Sequence, residues 1–344
     1  MALSKIDTTN MIEDVPQSKL DNNIHFKNYL INGNFDVWQR GTSHNITSSQ
    51  YTVDRWQLIF DGTPATGGTV TRQTFALGQT DVPNNPKYYL QYDFPNVGTP
   101  SNYIRQSIEG VHNLAGQTAT FSFWSKVPSG TMTISTQFQQ EFGSGGSPSS
   151  GVYGIGSTNF TVTTTWQRFT MTTTLPSISG KTVGTNNNDK LNAAIVFPSN
   201  ASGTIHLSQI QVEKGSTVSD FEFLPHDVNL RRCYRYCYKT PTGSLFHAYG
   251  EYCNAHHYTT TTMLGNCSVN PVEMRAPFSV TISGSFESYG ASAVHSISSI
   301  NANEITSRGF QINGTSSVAR NNGEGVTIRN SNNTTAFILQ EAEL

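Results

Sequence analysis

The residues best suited to contact a ligand lie on three strand-like runs. In Thr131–Phe142, alternation puts Met132, Ile134, Phe138 and Phe142 on one face and Gln137, Gln139 and Glu141 on the other. In Thr118–Val127, Phe121 and Phe123 point to a core and leave Trp124 and Lys126 opposite; in Tyr88–Phe94, Tyr89 and Gln91 oppose Tyr88, Leu90 and Tyr92. If exposed, such a set suits a saccharide, because aromatic faces stack on sugar C–H surfaces and amides bond paired hydroxyls. For any one of these aromatics, burial between strand layers is the more ordinary fate. A second aromatic cluster, Tyr249, Tyr252, His256, His257 and Tyr258, reads equally as a contact surface for a partner or as an interface between copies.

Other constellations carry less. Cys233, Cys237, Cys253 and Cys267 with His256 and His257 invite a zinc reading, but Cys-x3-Cys lacks the C-x2-C knuckle spacing, so small buried free thiols are expected. Glycoside cleavage needs two carboxylates about 5–9.5 Å apart. The candidates Asp93, Glu109 and Glu141 are scattered, and no nucleophile elbow, phosphate loop or His-Glu-x-x-His motif occurs. No enzymatic activity is expected.

The elements that position these residues follow from composition. Only 13% of the 344 residues are charged, against about 25% in ordinary domains. Ser, Thr, Asn, Gln and Gly fill the surface instead, which suits short strands and many turns. The length exceeds one ordinary core and fits two domains with accessories. With a net charge of −2 and no basic cluster beyond Arg231-Arg232 there is no footprint for nucleic acid. No apolar run approaches the ~20 residues that span a bilayer, so no membrane insertion is expected. The polar leader lacks a signal-peptide core, which predicts synthesis in a cytoplasm without export by that route.

The pattern predicts an all-β chain. Residues 1–27 form a leader with no sustained period, ordered only by a partner. Nine strands are expected up to about residue 225: 56–60, 69–73, 88–94, 102–108, 118–127, 131–142, 166–174, 191–197 and 204–213, stacked as two antiparallel sheets. GSGGSPSSGVYGIGST, between Phe142 and Phe160, reads as a mobile exposed loop. Asp227 is the expected N-cap of a short linker helix in 226–240. Residues 241–344 add six or seven strands, read as a second sandwich-like unit.

Two motifs bracket the first unit. Asn32-Gly33-Asn34, a tight turn in which Gly and Asn accept positive φ, opens NGNFDVWQRGTS, and Asp54-Arg55-Trp56 follows. IQVEKG at 210–215, Phe221, Phe223 and Cys233-Tyr234-Arg235-Tyr236 close it. Trp38, Trp56 and Trp166 are expected at core positions or strand starts, and Asp54-Arg55 as a framework ion pair. These motifs resemble the opening and closing of a jelly-roll module found in tail-fibre and receptor-binding proteins of tailed bacteriophages. Met274-Arg275-Ala276-Pro277, with Pro271, resembles an element of related C-terminal domains.

The resemblance implies a jelly-roll carbohydrate-binding-like domain over 28–225. It also implies a virion-attachment peptide over 1–27, docked on a phage tail or adaptor protein, and a C-terminal β-domain over 241–344 acting as receptor-binding tip or trimerisation unit. Non-catalytic binding of a host surface glycan, location in the virion tail and assembly as a homotrimer follow as expectations, since three-fold packing would shelter exposed aromatics and strand edges. Virion decoration, head-fibre or adaptor proteins without glycan binding, and glycan-degrading tailspikes, are the alternatives. No cofactor is expected beyond a structural calcium, for which Asn34, Asp36 and Glu213 would supply oxygens.

Overall fold

A computed structural model describes residues 26–60, 67–96, 102–240, 251–268, 270–290, 293–331 and 335–344. Most of the expected attachment peptide, and Tyr249, lie outside the described residues. The chain is all-β, with one helix among the described residues.

The first unit contains β1 (Ser43–Ile46), β2 (Gln50–Tyr51), β3 (Gln57–Phe60), β4 (Gly68–Thr74), β5 (Tyr88–Phe94), β6 (Asn102–Glu109), β7 (Thr118–Lys126), β8 (Met132–Glu141), β9 (Val152–Val162), β10 (Gln167–Thr174), β11 (Lys190–Phe197) and β12 (Gly203–Lys214). They form two six-stranded sheets. The first runs β1-β4-β5-β12-β7-β10 and the second β2-β3-β6-β11-β8-β9. All nine expected strands are present within two residues of the predicted ends. Their inward residues meet in one core that includes Trp56, Phe121, Phe123, Phe138, Ile195 and Leu207. Emptying a Phe site such as 121 would cost about 3–5 kcal/mol.

Three local expectations are corrected. The Gly/Ser-rich stretch is a loop only to Gly151, after which β9 pairs with β8 through two register shifts. Gly154 and Gly156, at φ of 70° and 67°, supply the left-handed residues that these bulges need. The loop itself is pinned, with Gly184 N–H donating to Phe142 O (2.8 Å), Asn186 N–H to Ser144 O (3.0 Å) and Ser149 N–H to Thr182 O (2.9 Å).

The linker helix, α1 (His226–Tyr234), starts after Pro225 with no side-chain cap. Asp227 sits in its first turn, where a carboxylate favours the helix dipole without capping. In the opening turn the left-handed residues are Asn32 and Phe35, at φ 58° and 57°. Gly33 is needed for another reason, because a Cβ there would stand 2.0 Å from the Ile210 carbonyl oxygen. Ile210 N–H donates to Gly33 O (2.8 Å) and Tyr29 N–H to Val212 O (2.9 Å), so the opening and closing motifs join one corner.

After α1 come β13 (Cys237–Lys239), β14 (Glu251–His257), β15 (Thr262–Ser268), β16 (Ser279–Ser283), β17 (Phe286–Tyr289), β18 (Val294–Asn303), β19 (Gly309–Ser316), β20 (Gly325–Asn330) and β21 (Phe337–Glu341). Rather than stacking as two layers, β14-β15-β19-β18-β17-β20 close into a barrel, and β13-β21-β16 form a three-stranded sheet beside it. Met263, Phe278, Phe286, Phe310, Ile312 and Ile328 fill this second core.

The last residues fasten the two units together. Arg40 pairs with Glu341 (2.6 Å) and Glu343 (3.1 Å), and Arg55 pairs with Glu343 and donates to Ser107 O (2.6 Å). Tyr51 Oη donates to Leu344 O (2.7 Å). Asp54 and Arg55 are therefore not partners of each other. The fully buried Asp54 instead accepts from the Gln39 N–H (2.8 Å) and faces Arg40 at 3.9 Å. Burial pushes its carboxyl up to about 6 despite Arg40 and Gln39.

Candidate functional site on the outward faces of the sandwich

Alternation divides the sequence-nominated residues between two faces that look away from each other. Tyr89, Gln91, Trp124 and Lys126 lie on the outward face of the first sheet, whereas Gln137, Gln139 and Glu141 lie on that of the second. They do not form one site. Asp93 is separated in the same way from Glu109 and Glu141, the latter two flanking Lys190 on the second sheet. The three carboxylates do not converge.

On the first sheet, register aligns Thr71, Gln91, His206 and Lys126 across β4, β5, β12 and β7. Rings gather around this row. Tyr89 is 4.8 Å from Phe75, 5.5 Å from Trp166 and 5.1 Å from His206, and Phe75 is 5.3 Å from Trp166. Lys126 Nζ stands 5.4 Å from the Trp166 ring, within cation–π range. The Phe75, Tyr89 and Trp166 side chains are half-buried, so ring surface remains open to a ligand. Trp166 immediately precedes β10, near the expected strand start, but on the outside of the sandwich rather than in its core.

Asp93 closes one side of this platform, accepting from Thr204 Oγ1 (2.6 Å), Thr69 Oγ1 (3.0 Å) and Gln91 Nε2 (3.0 Å). Burial works against its charge, yet these bonds hold its carboxyl below the ordinary value. His206 is 8% exposed and its Nδ1 has no hydrogen-bond partner. Burial, then Lys126, push the imidazole down to about 4, with Asp93 opposing. The unpartnered nitrogen is itself buried, so the imidazole backs the half-buried rings from beneath rather than offering a free atom to a ligand. Trp124 is half-buried on the same face, opposite Ser208 and Arg168. Sequence reading missed Phe75 and His206; His206 is signalled only by its place in the alternation of β12.

The second sheet's outward face is a hydrogen-bonded network. Arg105 donates to Gln57 Oε1 (3.1 Å) and Glu141 Oε1 (3.0 Å), Asn192 Nδ2 to Glu141 (2.7 Å), and Ser107 Oγ to Asn192 Oδ1 (2.7 Å). Lys190 adds an ion pair to Glu141 at 3.6 Å. Gln139 and Asn192 are buried, and Gln137 is half-buried. The rim by Glu109 is occupied by the far side of the chain. Arg235 and the Tyr236 hydroxyl bind Glu109, and Arg275 donates to Asn187 O (3.3 Å).

The remaining candidates scatter over the C-terminal unit. His256 and Tyr258 are exposed. His257 is instead buried in the barrel with neither ring nitrogen partnered. Tyr252 packs on Phe286 (5.3 Å) and donates to Ala336 O (3.1 Å). Of the calcium candidates, Asn34 Nδ2 donates to Asp36 (3.2 Å), while Glu213 accepts from the Ser219 N–H and Oγ and from Gln211. Cys233 and Cys237 are buried free thiols. Among the described residues no helix is long and apolar enough to cross a membrane.

No family model and no curated protein matches the chain. Over about half of its length the chain is similar to solved structures at low identity. The C-terminal family 22 carbohydrate-binding module of Clostridium thermocellum Xyn10B shares 13% identity over 52% of this chain and 98% of its own, with a TM-score of 0.32. TmCBM61, solved in complex with β-1,4-galactotriose, shares 13% identity over 55% of this chain and 99% of its own, with a TM-score of 0.28. The enzymatically active domain of tailspike protein 4 from bacteriophage CBA120 shares 13% identity over 55% of this chain and 22% of its own, with a TM-score of 0.31.

Proposed function

We propose that the chain is a non-catalytic glycan-binding protein of a phage virion, whose jelly roll contacts the host surface through the outward face of its first sheet. The observation that supports this best is the half-open platform of Phe75, Tyr89 and Trp166, whose rings gather within 4.8–5.5 Å of one another. Open rings supply the stacking surface, and the half-buried Gln91 and Lys126, on one register row with His206, supply hydroxyl partners. Asp93 lies apart on the other sheet, and Glu109 and Glu141, though on one face, are each taken up by other side chains, which supports binding without cleavage.

The tail-fibre assignment is the finer part of the proposal and rests on the bracketing motifs. In it, residues 1–27 attach the chain to the tail or an adaptor, and three copies raise weak single-site affinity by avidity. The full chain on a printed array of bacterial surface glycans should bind a defined subset, and Trp166→Ala should weaken that binding by about tenfold or more. Absence of binding across the array, with antibodies to the chain labelling particle heads rather than tails, would overturn the proposal.

A further inference from the structure

The wall of the C-terminal barrel carries a second array of uncharged polar groups. Register places His256 opposite Leu264, Leu264 opposite Asn313 and Asn313 opposite Asn301. In the next outward row Asn266 faces Gln311 and Gln311 faces Asn303. Two depressions cross this wall. One of about 280 Å³ is bordered by Asn254, His256, Leu264, Asn266 and Gln311. The other, of about 690 Å³, is bordered by Asn266, Asn270, Glu273, Glu304 and Arg308 around Phe310. Because both include Asn266, they adjoin.

Within the larger depression Asn270 is 7% exposed, and its Nδ2 has no hydrogen-bond partner. A buried amide donor without a partner is costly. Its wall is braced by Glu273, which accepts from Ser307 Oγ (2.8 Å) and Arg308 (2.9 Å).

We infer that this trough is a second carbohydrate site, separate from the jelly-roll platform, and that it takes a neutral oligosaccharide longer than one ring. Amides offer a donor and an acceptor at the spacing of neighbouring hydroxyls. Against one cation, Arg308, stand two carboxylates, Glu273 and Glu304, so an acidic sugar is disfavoured. A peptide strand is disfavoured too, because the closed barrel has no free edge to extend. The two adjoining depressions give length.

The test uses the full chain on an array of neutral oligosaccharides of galactose, glucose, mannose and N-acetylhexosamines, with their sialylated and uronic counterparts. Trp166→Ala should leave a set of neutral oligosaccharides still bound. Adding Gln311→Arg, which fills the trough from an outward position, or Asn266→Ala with Gln311→Ala, should weaken that set by about tenfold or more at an unchanged unfolding midpoint. The trough is refuted if Trp166→Ala alone abolishes all binding, which leaves the jelly-roll proposal standing. It is refuted equally if the residual set survives both trough variants or consists of acidic glycans. If Trp166→Ala changes nothing and the trough variants remove all binding, the trough stands and the jelly-roll platform falls. A chain that binds nothing on the array overturns both.

Discussion

The two outward faces of the sandwich are built from the same alternation and end in opposite states. On the second sheet, Arg105, Glu141, Asn192, Ser107 and Gln57 bond one another, and the C-terminal unit closes on the rim beside them. On the first sheet, the Phe75, Tyr89 and Trp166 rings stay half-open. A polar face that is saturated by its own bonds has little left for a ligand and serves as structure. A face with open rings has stacking surface to offer. Polarity by itself does not separate the two; open ring surface does.

The largest expected effect lies on the structural side. Glu343→Leu removes the partner of Arg55, a guanidinium only 1% exposed and otherwise left with Ser107 O and the Tyr236 ring. An uncompensated buried charge costs about 3–5 kcal/mol, to be read as a loss of unfolding free energy in urea. A loss below about 1 kcal/mol would show that the C-terminal residues do not fasten the units.

The next effect is one of pH on the first-sheet face. His206 is held near 4 by burial and Lys126, while an unfolded imidazole titrates near 6.5. Its folded pKa is depressed, so its contribution is whole above about 6.5 and is lost as pH falls through about 4. Linkage sets the loss at up to ~3 kcal/mol. Thermal unfolding of wild type and His206→Gln across pH 4–7 should show a slope that the variant lacks. Equal slopes would mean that the imidazole titrates normally and is not buried as described.

Smaller effects concern binding. Trp166→Ala should cost about tenfold in glycan affinity, near 1.4 kcal/mol, with stability little changed because the ring sits outside the core. Gln137→Ala, on the second face, should change affinity by less than about twofold, by the same titration. A Gln137 effect larger than that of Trp166 would reverse the assignment of the faces.

Much of the fold was legible because period-two patterns in 88–94, 118–127 and 131–142 state which residues point inward, and the core follows them except at the strand end Tyr88, which lies half-buried beside Arg72 and Lys87. What alternation does not state is which sheet a strand joins. Gln139 and Trp124 both read as outward polar-face residues, yet β8 and β7 belong to different sheets, so their faces look apart. The strand β9 was hidden because Gly154 and Gly156, needed at its bulges, carry the same signal as a loop. Barrel closure was illegible for a similar reason, since a strand's pattern is the same whether its last neighbour is solvent or the first strand. The partners of Arg40 and Arg55 were beyond reach, lying some three hundred positions away at Glu341 and Glu343.

Whether recognition by the jelly roll belongs to the first-sheet face, with the second face structural, is decided by calorimetric titration of one array-selected glycan into proteins that carry the trough substitution Gln311→Arg, alone and together with Trp166→Ala or Gln137→Ala. This division of the faces predicts a loss of about tenfold or more for Trp166→Ala and near-unchanged affinity for Gln137→Ala. Undiminished binding by Trp166→Ala together with loss in Gln137→Ala would contradict it.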